Sequence, residues 1–254
     1  METWQIPVIF IVGIIAGFIN TMAGGGSLLS LPMLIILGLP TAVANGTNRL
    51  AITVQSICAV AGFKRKGISN FKSSILMAVP TLVGAIVGAQ LSIDVSDVLF
   101  KRILAVTMLL VLGIILRNPT RRQYGKVQYT GDIVNGSWHL RLLLMCIFFF
   151  IGIYGGFIQA GIGFIIIAVL TTMCGLNLVE TNSHKVFVVG INAFFALLVF
   201  VFHNKIHWPI GIALAAGNGL GGWIGGNLAV TRGERFIRFM LTIGVIAMAV
   251  RLLT

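Results

Sequence analysis

One pattern in this chain occurs twice. Gly17, Phe18, Ile19 and Asn20 precede a glycine break at Gly24, Gly25 and Gly26; Gly156, Phe157, Ile158 and Gln159 precede a second at Gly161, Ile162 and Gly163. The echo continues down both halves. Thr47, Asn48 and Arg49 answer Ser183, His184 and Lys185; Phe63 and Ile68 answer Phe202 and Ile206; Gly84 and Gly88 answer Gly222 and Gly226; Phe100 and Arg102 answer Phe236 and Arg238. The offset stays between 136 and 139 throughout, which unrelated apolar segments would not hold across a whole half. A duplicated apolar chain with glycine-interrupted helices at matching positions points to a secondary transporter whose site lies at the breaks.

The breaks matter because of where they fall. Hydrophobic residues make up 57% of the chain and charged ones 9%, against about 25% charged in an ordinary soluble domain. Apolar runs cover 6–23 (continuing as a half-helix, 27–38), 42–62, 73–92 and 98–116. The second half gives 141–159 (continuing 163–174), 183–202, 209–229 and 236–253. A crossing helix needs about 20 residues, and most runs reach that length. No segment alternates with the period of a barrel strand. The expected fold is all-α: a polytopic membrane bundle of two internal repeats, about four spans each, each with a glycine-broken or re-entrant helix. The first run lacks a basic leader and its pattern returns in mid-chain, so it reads as structure rather than a signal peptide.

The expected organisation is an N-terminal repeat over 1–116, a basic linker over 117–139 and a C-terminal repeat over 140–254. Lys64, Arg65, Lys66 and Lys72 cluster in one joint and Arg117, Arg121, Arg122, Lys126 and Arg141 in the linker region. The positive-inside rule places both in the cytoplasm. If each broken element is an in-and-out hairpin, Arg232, Arg235 and Arg238 join them and the halves become antiparallel, an inverted repeat. The 12 residues of 27–38 span only about 18 Å, which favours re-entry over full crossing. The formal charge of +12 then reflects loops beside anionic lipid, and nucleic acid is not an expected partner. The expected partners are a small anionic substrate and the lipid bilayer of the cell membrane; a homo-oligomer stays open.

Unwound backbone at membrane depth survives only where protein or a polar cavity covers it. A half-helix starting at Ser27 aims free N–H groups and the positive end of its dipole at such a cavity, which suits an anion. Asn20 and Gln159 are matched amides just ahead of the breaks, able to donate to an oxyanion or to satisfy freed backbone. Arg49 and Lys185 are matched basic residues opening long apolar stretches. Intramembrane ionisable residues point to function, although both lie near helix starts, where snorkelling to the headgroups is the competing reading. On the site reading, replacing either by glutamine weakens anion binding and leaves insertion and purification normal. His184, beside Lys185, titrates near neutral pH and offers a proton-coupling group or a plain structural hydrogen bond. Gly84 with Gly88 and Gly222 with Gly226, spaced four apart, read as helix-packing contacts. Cys58, Cys146 and Cys174 have no ligand spacing, and no cofactor or metal site is expected.

The run Gly17 to Pro32, with Asn20, Gly24, Gly25, Gly26 and Ser27, followed by Ala44-Asn45-Gly46-Thr47-Asn48-Arg49-Leu50, resembles the sulfite exporter TauE/SafE family of membrane transporters. The resemblance extends over essentially the whole chain and implies a duplicated helical transporter of sulfur-containing oxyanions such as sulfite or organosulfonates. The second half departs from the motif: its break is Ala160-Gly161-Ile162-Gly163 and it has no proline matching Pro32. The candidate substrate contacts are Asn20, Gly24, Gly25, Gly26, Ser27, Asn48, Arg49, Gln159, Gly161, Gly163, His184 and Lys185. The leading reading is alternating-access transport of a small sulfur anion. An anion channel is the alternative. An intramembrane enzyme would need a nucleophile, acid/base pair or metal cluster, and none is visible in the spans.

Overall fold

Helices form wherever the apolar runs are uninterrupted, and glycine or polar joints end them. The computed structural model describes residues 5–68, 71–116 and 138–253. Among these residues lie nine α-helices: α1 (Gln5–Ala23), α2 (Ser27–Ile36), α3 (Thr41–Arg65), α4 (Phe71–Ile93), α5 (Asp97–Leu116), α6 (Trp138–Phe157), α7 (Ile162–Met173), α8 (Leu178–Phe202) and α9 (Trp208–Leu253). The expected linker 117–139 falls outside the described residues except for Trp138 and His139, which open α6 because nothing breaks the helix ahead of the apolar run.

Among the described residues, Gln5–Ala23, Lys72–Ile93, Trp138–Phe157 and Leu178–Phe202 are long and apolar enough to cross a membrane. α2 and α7, with 10 and 12 residues, reach about 15 and 18 Å, roughly half of a 30 Å hydrocarbon core. Ile57, Leu110, Phe150, Phe202, Ile212 and Trp223 face outward, as a lipid-contacting surface requires. α3 is as long as α8 but carries Asn45, Thr47, Asn48, Arg49, Gln55 and Ser56, all buried. Its polarity is turned inward.

The last stretch departs from expectation. The sequence reading places two spans at 209–229 and 236–253 with a basic joint between, whereas α9 runs unbroken for 46 residues. Between Thr231 and Arg238 the only helix-weakening residue is Gly233, whose cost of about 1 kcal/mol does not stop a helix, and there is no proline. At 1.5 Å per residue α9 extends about 69 Å, more than twice the bilayer core.

α1 packs along α9, and α6 along α4; α3 lies against α8 and α9, and α8 also meets α4. In lipid there is little hydrophobic drive between helices, so close van der Waals contact through small residues holds such pairs together. Gly84 and Gly88 of α4 face the α6 backbone at Phe149 and Ile153, where a methyl group would collide, while Gly222 and Gly226 of α9 face Gln55 and Ala59 of α3. The spacing of four thus reflects packing at both places. α3 is anchored at its start by Asp97 of α5, which accepts from Thr41 N at 3.2 Å and Thr41 Oγ1 at 2.5 Å.

Gly84→Ala is expected to lower the melting temperature in detergent, with an overpacking cost of about 1–3 kcal/mol. Gly62→Ala serves as its contrast, because the added carbon meets its nearest neighbour at 3.5 Å, an ordinary contact, and the substitution removes a helix-interior glycine. Equal melting temperatures for the two variants would show that α4 and α6 are not held by backbone contact at Gly84.

Candidate functional site

The two breaks meet. Gly24, at φ +87°, lies so close to Gly163 that a side chain on either would strike the backbone of the other. Ser27 Oγ donates to the Gln159 carbonyl at 3.2 Å. The second break turns through left-handed conformations at Gln159 (φ 56°) and Gly161 (φ 76°), and the Tyr154 hydroxyl bonds the Ala160 carbonyl across it. The ends of α1 and α6 and the starts of α2 and α7 therefore converge on one region. Gly25 and Gly26 are buried there, their carbonyls accepting from Leu28 N and Leu29 N at 3.0 Å each. The amides of Gly26 and Ser27 precede this first bonded turn of α2.

A helix that stops inside a membrane leaves its last carbonyls without partners. Side chains from α3 and α8 fill that role. Arg49 of α3 donates through Nη1 to the Gly155 carbonyl at 2.5 Å and Gln159 Oε1 at 2.7 Å, and through Nη2 to the Gly156 carbonyl at 2.7 Å and Asn45 Oδ1 at 3.3 Å. Asn45 Nδ2 covers the next carbonyl, Phe157, at 2.8 Å. At the end of α1, Lys185 of α8 donates to the Thr21 carbonyl at 2.7 Å and Asn182 Oδ1 at 2.6 Å, while Asn182 Nδ2 reaches the Met22 carbonyl at 3.2 Å. Positive groups at helix C-termini are also favoured by the dipole.

Arg49 and Lys185 are 0% and 1% exposed, turned into the protein rather than toward headgroups. Asn20, Asn48, Gln159 and His184 are buried as well. Asn20 Nδ2 bonds Gln55 Oε1 at 2.6 Å, and Gln55 Nε2 passes the chain on to Thr21 Oγ1 at 2.9 Å. Asn48 Oδ1 accepts from Ser30 Oγ at 2.6 Å. His184 turns away from Lys185's partners to meet Ser74 Oγ of α4 at 2.8 Å.

Among the described residues the charge is not balanced by a buried carboxylate. Asp94, Asp97 and Glu180, the acids whose side chains are described, are exposed, and Arg49 and Lys185 donate instead to carbonyl and amide oxygens. The two helix C-termini and two N-termini that meet here carry about half a charge each and cancel. The guanidinium, which cannot deprotonate, keeps its charge in a buried site. Around it three buried N–H groups have no acceptor: Arg49 Nε, Asn48 Nδ2 and Gln159 Nε2.

The sequence reading missed Asn45, Asn182, Gln55 and Asn192, the last donating to the Gly152 carbonyl at 3.1 Å. The available signal was spacing: Asn45 lies four residues before Arg49 and Asn182 three before Lys185, one helical turn in each case. The capping geometry also alters one expectation. Arg49→Gln leaves the buried Gly155 and Gly156 carbonyls without their donors, at about 1–3 kcal/mol each, so this variant is expected to melt well below wild type without any ligand present. A ligand-free melting temperature equal to wild type would contradict the capping role.

The sequence profile of the sulfite exporter TauE/SafE family matches residues 9–252. The chain is 30% identical over 245 residues to "Probable membrane transporter protein ORF9" of Sinorhizobium sp, covering 96% of this chain and 91% of the relative. It is 27% identical over 238 residues to a "Probable membrane transporter protein" of Haemophilus influenzae, covering 94% and 90% of the two chains. It is 29% identical over 253 residues to "Probable membrane transporter protein YfcA" of Escherichia coli K12, covering 97% and 88%. No solved structure matches significantly. The chain belongs to the sulfite exporter TauE/SafE family of membrane transporters.

Proposed function

We propose that the protein is a secondary transporter that moves a small sulfur-containing anion, sulfite or an organosulfonate, across the cytoplasmic membrane by alternating access. The observation that carries this reading is the buried guanidinium of Arg49, held at two joined helix breaks with unfilled donors around it and no buried carboxylate among the described acids. A buried charge is stable only when compensated, and here an anionic substrate supplies the compensation when it binds. Sulfite and sulfonates present several oxygens to such donors, whereas a carboxylate presents two. Charge-assisted bonds of this kind are the strong ones.

Two inverted repeats, meeting as multi-pass halves, are the architecture this mechanism would use. In support, the order long helix, break, short helix, long helix occurs in α1–α3 and again in α6–α8. Each half's third helix supplies the basic residue that caps the other half's broken helix, Arg49 on α6 and Lys185 on α1. Rocking one half against the other would break and remake these caps together, which couples the substrate charge to the movement.

The test is a thermal-shift panel on purified protein with sulfite, sulfate, thiosulfate, taurine, sulfoacetate and simple carboxylates. A ligand at 100 times its Kd stabilises by about 2.7 kcal/mol. In a domain of this size, that corresponds to roughly 5–10 °C. Sulfite or a sulfonate is expected to raise the melting temperature by that amount and acetate to leave it near the buffer value. A panel in which no sulfur anion exceeds acetate would contradict the proposed substrate class.

A further inference from the structure

We propose that the anion is captured on one side only, at a pole formed by the first turn of α2 together with Asn48, Arg49 and Gln159, while Lys185 serves mainly to lock the end of α1. This rests on the transport reading above and assigns its direct contacts. The sequence pairs three polar residues across the halves: Arg49 with Lys185, Gln159 with Asn20, and Asn48 with His184. The structure treats the members of each pair differently.

On the Arg49 side, each residue keeps a donor in reserve. Nε of Arg49, Nε2 of Gln159 and Nδ2 of Asn48 are all buried without an acceptor. On the Lys185 side the matching amide is used, since Asn20 Nδ2 bonds Gln55 at 2.6 Å. The residue matching Asn48 is used too, because His184 Nδ1 meets Ser74 at 2.8 Å. The Lys185 ammonium has two short bonds, to Thr21 and Asn182. The Thr181 hydroxyl on the same helix is buried without a partner.

The first turn of α2 is bonded to two of the residues that carry the reserve donors. Ser27 bonds the Gln159 backbone at 3.2 Å, and Ser30, one turn on, bonds Asn48 at 2.6 Å. The start of α2 is thus held between Gln159 and Asn48, with Arg49 bonded to Gln159 at 2.7 Å. A helix start favours an anion through its free amides and its dipole. The buried, unpartnered donors alongside are the independent sign that a ligand completes the site, because such groups left unsatisfied are costly. An oxyanion with three oxygens has enough acceptors to engage the guanidinium Nε–H, an amide and the helix start at once.

The experiment measures sulfite and methanesulfonate affinity of the purified full chain by titration calorimetry, with melting temperature recorded alongside. Gln159→Gly removes the amide at a position whose φ of 56° glycine adopts readily, and Asn48→Leu removes the other amide at nearly constant volume. Each should weaken binding by about 10- to 150-fold, the loss expected for one hydrogen bond to a charged group. The fall in melting temperature should be smaller than for Arg49→Gln, because each takes one acceptor from a buried donor, Arg49 Nη1 or Ser30 Oγ, rather than orphaning two helix-end carbonyls. Lys185→Gln keeps a donor for the Thr21 carbonyl; it should lower the melting temperature and weaken binding by less than either amide variant. If Lys185→Gln does not purify, Lys185→Arg substitutes for it, with affinity within a few-fold of wild type as the expected result. A larger affinity loss at Lys185 than at both amides would overturn the one-sided pole and leave sulfur-anion transport standing. Absence of sulfite and methanesulfonate binding to wild type would overturn the transport reading, and this inference with it.

Discussion

A helix that ends inside a membrane must find donors for its last carbonyls, and the rest of this structure is arranged around supplying them. Where water is absent, each unsatisfied group costs several kcal/mol. The ends of α1 and α6 are capped by Lys185 with Asn182 and by Arg49 with Asn45. Because the caps come from α8 and α3, the breaks cannot persist without the long helices that carry these side chains. Because α3 and α8 would otherwise be apolar, their polarity needs the breaks. Each feature makes the other tolerable.

The same arrangement explains why the site is charged and compact. Gly24 and Gly163 let the two breaks touch, bringing four helix termini whose partial charges offset one another. What remains is the formal charge of the caps, with the described acidic side chains at the surface. In the proposed function, a site built this way would recognise charge sign first and geometry second. It would also join binding to conformation, since Arg49, proposed to meet the anion, is bonded to the end of a broken helix.

Much of this was legible in the chain itself, for physical reasons. The breaks are visible because glycine clusters interrupt long apolar runs at matching positions in the two halves, and α1, α2, α6 and α7 begin and end within a few residues of the expected limits. Arg49 and Lys185 stand out because charge in such runs is rare. Their capping role was not legible, since it depends on carbonyls more than 100 residues away in sequence, and no local pattern reports those. The continuity of α9 was misread because basic residues signal a membrane boundary while the helix itself responds only to glycine and proline. The differing engagement of Asn20 and Gln159 was likewise hidden, because Gln55 had drawn no attention as the partner of one and not the other.

The central claim is that a buried, uncompensated charge at the joined breaks binds a sulfur oxyanion and carries it through alternating states. Counterflow in proteoliposomes tests this most directly. Vesicles preloaded with unlabelled sulfite and diluted into radiolabelled sulfite should show transient accumulation of label above equilibrium, saturating with sulfite concentration and inhibited by methanesulfonate. Label that only approaches equilibrium, at a rate linear in concentration and unaffected by internal sulfite, would show a channel and contradict the account.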